Sequence, residues 1–403
     1  MKICLASYEY PPETFDGIGT YTRTLAKALV SLGNDVYVVT FTSKKPYEYM
    51  ENGVHVYRIN PVKLRAVWRF DSIFPSKTLG YSIAVTRKIK ELIQEKGVDI
   101  IEGPEARAEM LHYFLSRNGN KVPPVVVKLH TPTYIVQKHN FRSLKAYQKV
   151  LTFMEIQSIR KADSLTSPSR SMKECVSADL RISRGKIKVV PNPIDVDEFV
   201  PAAREQNNDA IKILYVGRIE RIKGVEILMQ AIPLVLREIK NCQFTFVGED
   251  SRTTDQQTSM SDFLKEYCAA HGCADRVSFL GHQEKEDIIK FYQENDIVVI
   301  PSFFESLAYV CLEALACEKA VIASPSGGLK ELITDQVNGL MFTPKDHREL
   351  AEKIIYLCKN KELRRQFGKE GRRFVMNNYS IKAAAIKTVE HYQSVLEKAN
   401  HGS

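Results

Sequence analysis

The stretch Ile211-Lys212-Ile213-Leu214-Tyr215-Val216-Gly217-Arg218 decides the fold. It is a short apolar, β-prone run that ends on a glycine and a cation. After a turn it meets a segment of helical period at 225–238. A strand that is apolar on nearly every residue is covered on both faces, as in a parallel sheet flanked by helices. What precedes this run makes it a restart. Pro191-Asn192-Pro193 closes one region, and the polar stretch 201–210 with Asn207-Asn208 reads as a linker. Upstream, strand candidates at 2–7, 36–41, 54–59, 99–102, 125–129, 164–167 and 187–190 alternate with helical patterns at 20–32, 77–95 and 144–159. Downstream, strands at 244–248, 277–280, 297–301, 321–324 and 340–342 alternate with helices at 225–238, 261–271, 285–292, 309–317 and 347–359. A long helix candidate closes the chain at 381–398. Such alternation predicts α/β architecture in two similar domains, one over 1–198 and one over 210–379. Ligand sites in sheets of this kind lie beyond the carboxyl ends of the strands.

Length and composition agree. A chain of 403 residues is too long for one ordinary core, and 44% apolar residues against 26% charged ones exclude disorder as the main state. No apolar run approaches the ~18 residues of a membrane span. Met1-Lys2-Ile3-Cys4-Leu5-Ala6-Ser7 reads as a buried strand rather than a signal-peptide core. The eight cysteines form no Cys-x-x-Cys, which points to reduced thiols and a cytoplasmic protein. Charge is uneven: the net +9 divides into +10 over residues 1–200 and −1 over 201–403. Residues 58–90 hold eight basic side chains against Asp71 alone, and 111–154 contain no acid. Such a half either attracts anionic partners, such as phosphates or lipid headgroups, or is a solvated basic face.

Four features carry chemistry. The loop Pro11-Pro12-Glu13-Thr14-Phe15-Asp16-Gly17-Ile18-Gly19 follows the first strand and opens the first helix. It serves either as a plain turn or as an anion contact through exposed amides. It is not Gly-x-Gly-x-x-Gly, which weakens a dinucleotide reading. His130 ends the strand 125–129 and is either a cleft group or a satisfied structural histidine, while His139 reads as a surface residue. Arg218 and Lys223 flank a strand-to-helix turn, where a guanidinium fork and an ammonium can clamp a diphosphate. Pro301-Ser302-Phe303-Phe304-Glu305-Ser306-Leu307-Ala308-Tyr309-Val310-Cys311-Leu312-Glu313 places one carboxylate in a loop and another inside a helix whose starting amides, near 307–310, suit an anion. Carboxylates accept vicinal hydroxyls well, so the segment fits a sugar nucleotide. Finally, Asp195-Val196-Asp197 matches Asp-x-Asp literally but lies by the linker, and no metal site is expected.

Taken together, these residues resemble the retaining glycosyltransferases of family four, which have the GT-B fold. The likeness covers essentially the whole chain, including the late Ser326-Gly327-Gly328-Leu329-Lys330-Glu331…Asn338-Gly339 block. It implies two Rossmann-like domains facing across a deep cleft, with a C-terminal helix at 380–403 crossing back to the first. The first domain would bind the acceptor and the second the nucleotide-sugar donor. Gly17 would offer its amide to the diphosphate, and His130 would contact the transferred sugar. Arg218 and Lys223 would neutralise the diphosphate. Glu305 would hold sugar hydroxyls, the helix start at Ser306, Leu307, Ala308 and Val310 the phosphates, and Glu313 the ribose. Departures are Asp16-Gly17 for Gly-Gly, Leu307-Ala308 for Phe-Gly, Glu318 and Ala320 for Gly and Pro, and Asn192-Pro193 for Asn-Gly.

The resemblance further implies metal-independent transfer without a cofactor. The expected donor is UDP-glucose, with GDP-mannose as the alternative. The expected acceptor is a saccharide or lipid-linked hydroxyl in exopolysaccharide or glycolipid synthesis. An anionic, lipid-linked acceptor would suit the basic half, with Trp68 and Phe70 among cations at 62–70 and peripheral contact at the inner face of the plasma membrane. A sugar-nucleotide epimerase would need further cleft acids and bases. A dehydrogenase would need the dinucleotide loop, and a nucleic-acid-binding protein a recognisable module.

Overall fold

The structure is a computed structural model that describes residues 1–13, 17–64, 74–117, 122–141, 144–203 and 210–401. Asp16 of the first loop and Arg65, Trp68, Arg69, Phe70 and Asp71 of the basic stretch lie outside the described residues. The chain divides into two units. Unit 1 comprises Met1–Ile135, Ser143–Pro193 and Ile381–Ser403, and unit 2 comprises Val136–Arg142 and Ile194–Ser380.

Unit 1 is built on eight strands: β1 (Lys2–Ser7), β2 (Asp35–Phe41), β3 (Tyr47–Glu51), β4 (Val54–Ile59), β5 (Ile100–Pro104), β6 (Val125–Lys128), β7 (Ser164–Ser167) and β8 (Ile187–Val189). Their order is β3-β4-β2-β1-β5-β6-β7-β8. All neighbours are parallel except β3, which runs antiparallel to β4 at the edge. The sequence reading missed β3 because Tyr47-Glu48-Tyr49-Met50-Glu51 is short, carries two glutamates among its five residues and is largely exposed. The inner strands are buried on both faces, as their unbroken apolar runs require. Around them lie α1 (Gly17–Ser31), α2 (Ser76–Lys96), α3 (Leu111–Ser116), α5 (Ala146–Lys161) and α6 (Arg170–Leu180), while α4 (Thr133–Asn140) starts in unit 1 and belongs to unit 2 from Val136 on. The last helix of the chain (Ile381–His401) also belongs to unit 1. It buries Ala384, Ala385 and Tyr392.

Unit 2 repeats the scheme. Strands β9 (Ile211–Val216), β10 (Cys242–Val247), β11 (Val277–Phe279), β12 (Ile297–Ile300), β13 (Ala320–Ala323) and β14 (Leu340–Met341) form an all-parallel sheet in the order β11-β10-β9-β12-β13-β14. The first strand sits centrally, and neighbours on either side are reached by crossovers through helices. These are α7 (Val225–Glu238), α8 (Met260–Ala270), α9 (Lys285–Glu294), α10 (Tyr309–Ala316), α11 (Leu329–Leu332), α12 (His347–Lys359) and α13 (Lys361–Tyr379), so the chain's last helix is α14. Helix α7 shows why the segment is helical: Leu228, Ile232 and Val235 recur at helical spacing and are fully buried. Each such side chain contributes roughly 1.5–3 kcal/mol by leaving water. Helix α13 escaped the sequence reading because its charged residues interrupt the apolar period, and two of its buried positions are Gly368 and Gly371. Seven of the eight cysteines are buried and Cys175 is partly exposed.

One departure from the family pattern has a visible consequence. Glu318, after α10, adopts φ 56°, the left-handed region that favours glycine. Holding a side chain there costs on the order of 1–2 kcal/mol.

Candidate functional site

In unit 2 the site residues gather at the carboxyl ends of β9 and β12. Past β9 the chain passes Gly217 and Arg218, makes a short 3₁₀ turn at Arg221–Lys223, and enters α7 through Gly224 at φ 68°. A Cβ at Gly224 would stand 2.0 Å from the Pro301 carbonyl oxygen, so only glycine lets this turn press onto the end of β12. A backbone bond joins the two loops directly, with the Phe303 amide donating to the Ile222 carbonyl at 2.8 Å. That contact brings Lys223 to Glu305: the ammonium lies 2.8 and 3.0 Å from the two carboxylate oxygens. The Ser302 hydroxyl donates to the same Glu305 carboxylate at 2.7 Å.

Behind Glu305 lies the Ser326-Gly327-Gly328 turn. A Cβ at Gly327 would sit 1.9 Å from the Glu305 carbonyl oxygen, and the Gly328 amide donates to that oxygen at 2.7 Å. The late glycine block therefore fixes the backbone of the carboxylate loop. Ser306, Leu307 and Ala308 are buried and Val310 is partly so. The N-cap of α10 is Ala308, whose side chain cannot accept a hydrogen bond, so the first amides of the helix have no side-chain cap. Uncapped helix-start amides suit an anion.

Glu313, on α10, has a different partner from Glu305. It accepts a 2.8 Å hydrogen bond from the Tyr292 hydroxyl. Burial pushes its carboxyl up to about 7, against the Tyr292 bond and the Lys285 ammonium, which hold it down. Arg218 is more open: its guanidinium forms a 3.0 Å ion pair with buried Glu220 while the side chain remains 57% exposed.

Unit 1 carries His130 and Gly17. Gly17 is the exposed first residue of α1, and nothing lies within 4 Å of where its Cβ would be. His130, just past β6, is buried, with its ring edge-on to Tyr21 at 5.0 Å between centroids. Burial, aided by the Lys128 ammonium, drives its imidazole down to about 3, so the ring is neutral across the physiological range. Its Nε2 is buried without a hydrogen-bond partner, and the residue lines a small cavity together with Tyr21, Glu102 and Lys128.

The buried carboxylates that hold His130 and the neighbouring loops escaped the sequence reading. Glu105 takes the His130 amide on both oxygens at 2.9 Å. Glu109 takes the Tyr8 amide at 2.9 and 3.0 Å. Glu155 takes the Arg107 amide at 2.9 Å and the Thr133 amide at 3.0 Å. All three are buried, and burial raises their carboxyls to about 8, 8 and 7. In sequence they are isolated glutamates. Their only signal is position after β5 or on a helix facing it.

Two further sequence expectations meet the structure. His139 is not a surface residue: it is half-buried, and its ring lies 6.4 Å from that of Phe304 and 6.5 Å from that of Phe303. Asp195, of the literal Asp-x-Asp, accepts the amides of Asp197 and Glu198 at 3.1 and 3.2 Å and so closes a turn. Among the described residues no group of three or more His, Cys, Asp or Glu is arranged to hold a metal.

Comparison with known proteins identifies the family. The family described as "Glycosyltransferase Family 4" matches residues 15–198 and "Glycosyl transferases group 1" matches 196–374. The chain belongs to this family of glycosyltransferases and has its GT-B fold. An uncharacterized glycosyltransferase of Methanocaldococcus jannaschii is 28% identical, covering 98% of this chain and 99% of its own length. Glycogen synthase of Mycobacterium tuberculosis is 24% identical, covering 97% and 94%. Sucrose-phosphate synthase of Thermosynechococcus elongatus matches in structure with a TM-score of 0.78 at 20% identity, covering 98% and 99%. Anabaena HepE, solved in complex with UDP-glucose, matches with a TM-score of 0.73 at 19% identity, covering 98% and 100%.

Proposed function

We propose that this glycosyltransferase is a retaining, metal-independent enzyme that transfers glucose from UDP-glucose to a hydroxyl of a saccharide or lipid-linked acceptor. The observation that carries the reading is the meeting of Lys223 with Glu305 beside the uncapped start of α10, with Arg218 open at the same sheet end. A nucleotide sugar has the complementary parts. Its diphosphate suits Arg218, Lys223 and the helix amides. Its sugar hydroxyls suit Glu305, and its ribose suits Glu313. Gly17 would add an amide to the diphosphate, and His130 would face the sugar near its reactive carbon.

The leaving group is a diphosphate, so rate depends on stabilising the charge that develops on it. Two cations and a helix start supply that field. The leaving phosphate accepts the proton of the incoming hydroxyl on the face it departs from, which preserves the anomeric configuration. UDP-glucose is the donor bound in the HepE complex, which supports the choice of base and sugar. Unit 1 would receive the acceptor and unit 2 the donor. The basic first half supports an anionic, lipid-linked acceptor met at the inner face of the plasma membrane from the cytoplasm, in exopolysaccharide or glycolipid synthesis. No helix among the described residues is long and apolar enough to cross a membrane.

A thermal-shift and transfer panel of UDP-, GDP- and ADP-sugars tests the donor. At 100 times its dissociation constant the true donor stabilises by ~2.7 kcal/mol. UDP-glucose is expected to give the largest shift, and transfer is expected to persist in excess EDTA. Loss of activity in chelator with recovery on manganese would end the metal-independent reading. Sedimentation with anionic but not neutral liposomes checks the membrane contact.

A further inference from the structure

Both loops of the donor site are touched by a part of unit 2 that comes from far upstream, residues 136–142. Asn140 is buried, as are Glu220 and Ile222. Its amide nitrogen donates to Glu220 Oε2 at 3.0 Å, and its amide oxygen accepts the Ile222 backbone N–H at 2.7 Å. Glu220 in turn pairs through Oε1 with Arg218 at 3.0 Å. Ile222 precedes Lys223, and its carbonyl takes the Phe303 amide. The neighbouring His139 ring lies against Phe303 and Phe304, next to Glu305.

From this geometry we infer that Asn140 is a positioning residue for the diphosphate clamp, setting Arg218 through Glu220 and Lys223 through the Ile222 amide. The inference rests on the donor-site reading above. The physics is a division of labour between the two ends of one amide. A buried carboxylate needs donors, and the Asn140 NH₂ supplies one to Oε2. Glu220 therefore engages Arg218 on one oxygen only, which leaves the other guanidinium N–H groups to fork onto phosphate oxygens. The Asn140 oxygen meanwhile holds the 3₁₀ turn at 221–223 at the height where Lys223 reaches Glu305. Only a side chain with a donor and an acceptor does both. Asp keeps the acceptor for Ile222 and loses the donor for Glu220, and Ala loses both.

The test is calorimetry of the full chain with UDP, GDP and ADP and with the matching nucleosides, alongside circular dichroism to check the fold. Asn140→Asp is expected to weaken the preferred diphosphate about 10- to 100-fold, the range for a hydrogen bond to a charged group. The matching nucleoside, which reaches only the Glu313 end, keeps its affinity. Adding Glu220→Gln to Asn140→Asp restores a donor facing an acceptor and brings diphosphate affinity back to within a few-fold of wild type. Asn140→Ala behaves like Asn140→Asp or worse, and if it fails to fold the Asp variant carries the test alone. Equal affinity of the Asp variant and wild type for the diphosphate overturns the inference. So does a parallel loss for diphosphate and nucleoside, because that is what general loosening would do. A wild-type chain that binds no nucleoside diphosphate overturns the donor-site reading itself, and the inference with it.

Discussion

In unit 1 the loops past β1, β5 and β6 hang from buried carboxylates: Glu109 holds Tyr8, Glu155 holds Arg107, and Glu105 holds His130, each through backbone amides. In unit 2 the loops past β9 and β12 press backbone against backbone at Gly224 and Gly327, and Arg218 there stays exposed. The same sheet plan thus fixes its business end in two ways. Buried acids give rigid loops whose strength depends on protonation. Glycine contacts fix the loop backbone without calling on a titrating group.

The largest effects should separate the two. Arg218→Ala or Lys223→Ala is expected to cut turnover by ~10²–10³-fold, by analogy with removing one donor to a developing oxyanion. Within the same unit, Glu305→Gln should lose transfer and keep nucleoside diphosphate affinity, since the proposed function gives it the sugar hydroxyls. Glu313→Ala should weaken the nucleotide by about 1.5–3 kcal/mol. Wild-type nucleotide affinity should also fall as pH drops below about 7, where Glu313 takes a proton and accepts ribose hydroxyls less well; Glu313→Ala should lack that dependence. Calorimetry across pH 5.5–8.5, a range of about 1.5 units either side of neutrality, reads both. If all four variants bind and turn over like wild type, the site is elsewhere.

A second, smaller effect belongs to unit 1. Glu105 and Glu109 have folded-state values of about 8, above the usual carboxyl range. A raised carboxyl contributes stability that is fully present below its unfolded value and is lost as pH rises through its folded value. Thermal stability should therefore decline from pH 6 to 9, and Glu105→Gln and Glu109→Gln should flatten that decline. A wild-type profile already flat over this interval would break the comparison. The smallest effect is Glu318→Gly, which relieves the left-handed φ of 56°. It should raise the melting temperature by at most ~2–4 °C, the shift that about 1 kcal/mol gives a unit of this size.

Much of this was legible in the sequence. The parallel strands announced themselves through unbroken apolar runs, because burial on both faces leaves no alternation to hide them. Glu305 and Glu313 were legible because a loop-to-helix junction fixes their spacing locally. Asn140 and the three buried glutamates were not, since each acts on backbone amides between 22 and 101 residues away in sequence. A polar residue in one sequence reads as solvated until tertiary structure shows what it faces. Edge strand β3 and helix α13 failed for a related reason: their charged residues dilute the period that marks an element.

Helix α14 has a consequence for how the molecule is made. Tyr392 is fully enclosed in unit 1, where its hydroxyl faces Glu102 of β5 and helps offset the burial of that carboxylate. Its neighbour His391 bonds the Ser164 hydroxyl of β7 at 3.0 Å. A ribosome delivers these residues only after every residue of unit 2 has emerged. Unit 1 is therefore begun first and finished last. Until α14 arrives, the nascent first unit exposes the apolar face that Ala384, Ala385 and Tyr392 will cover, a surface for chaperones to guard during synthesis.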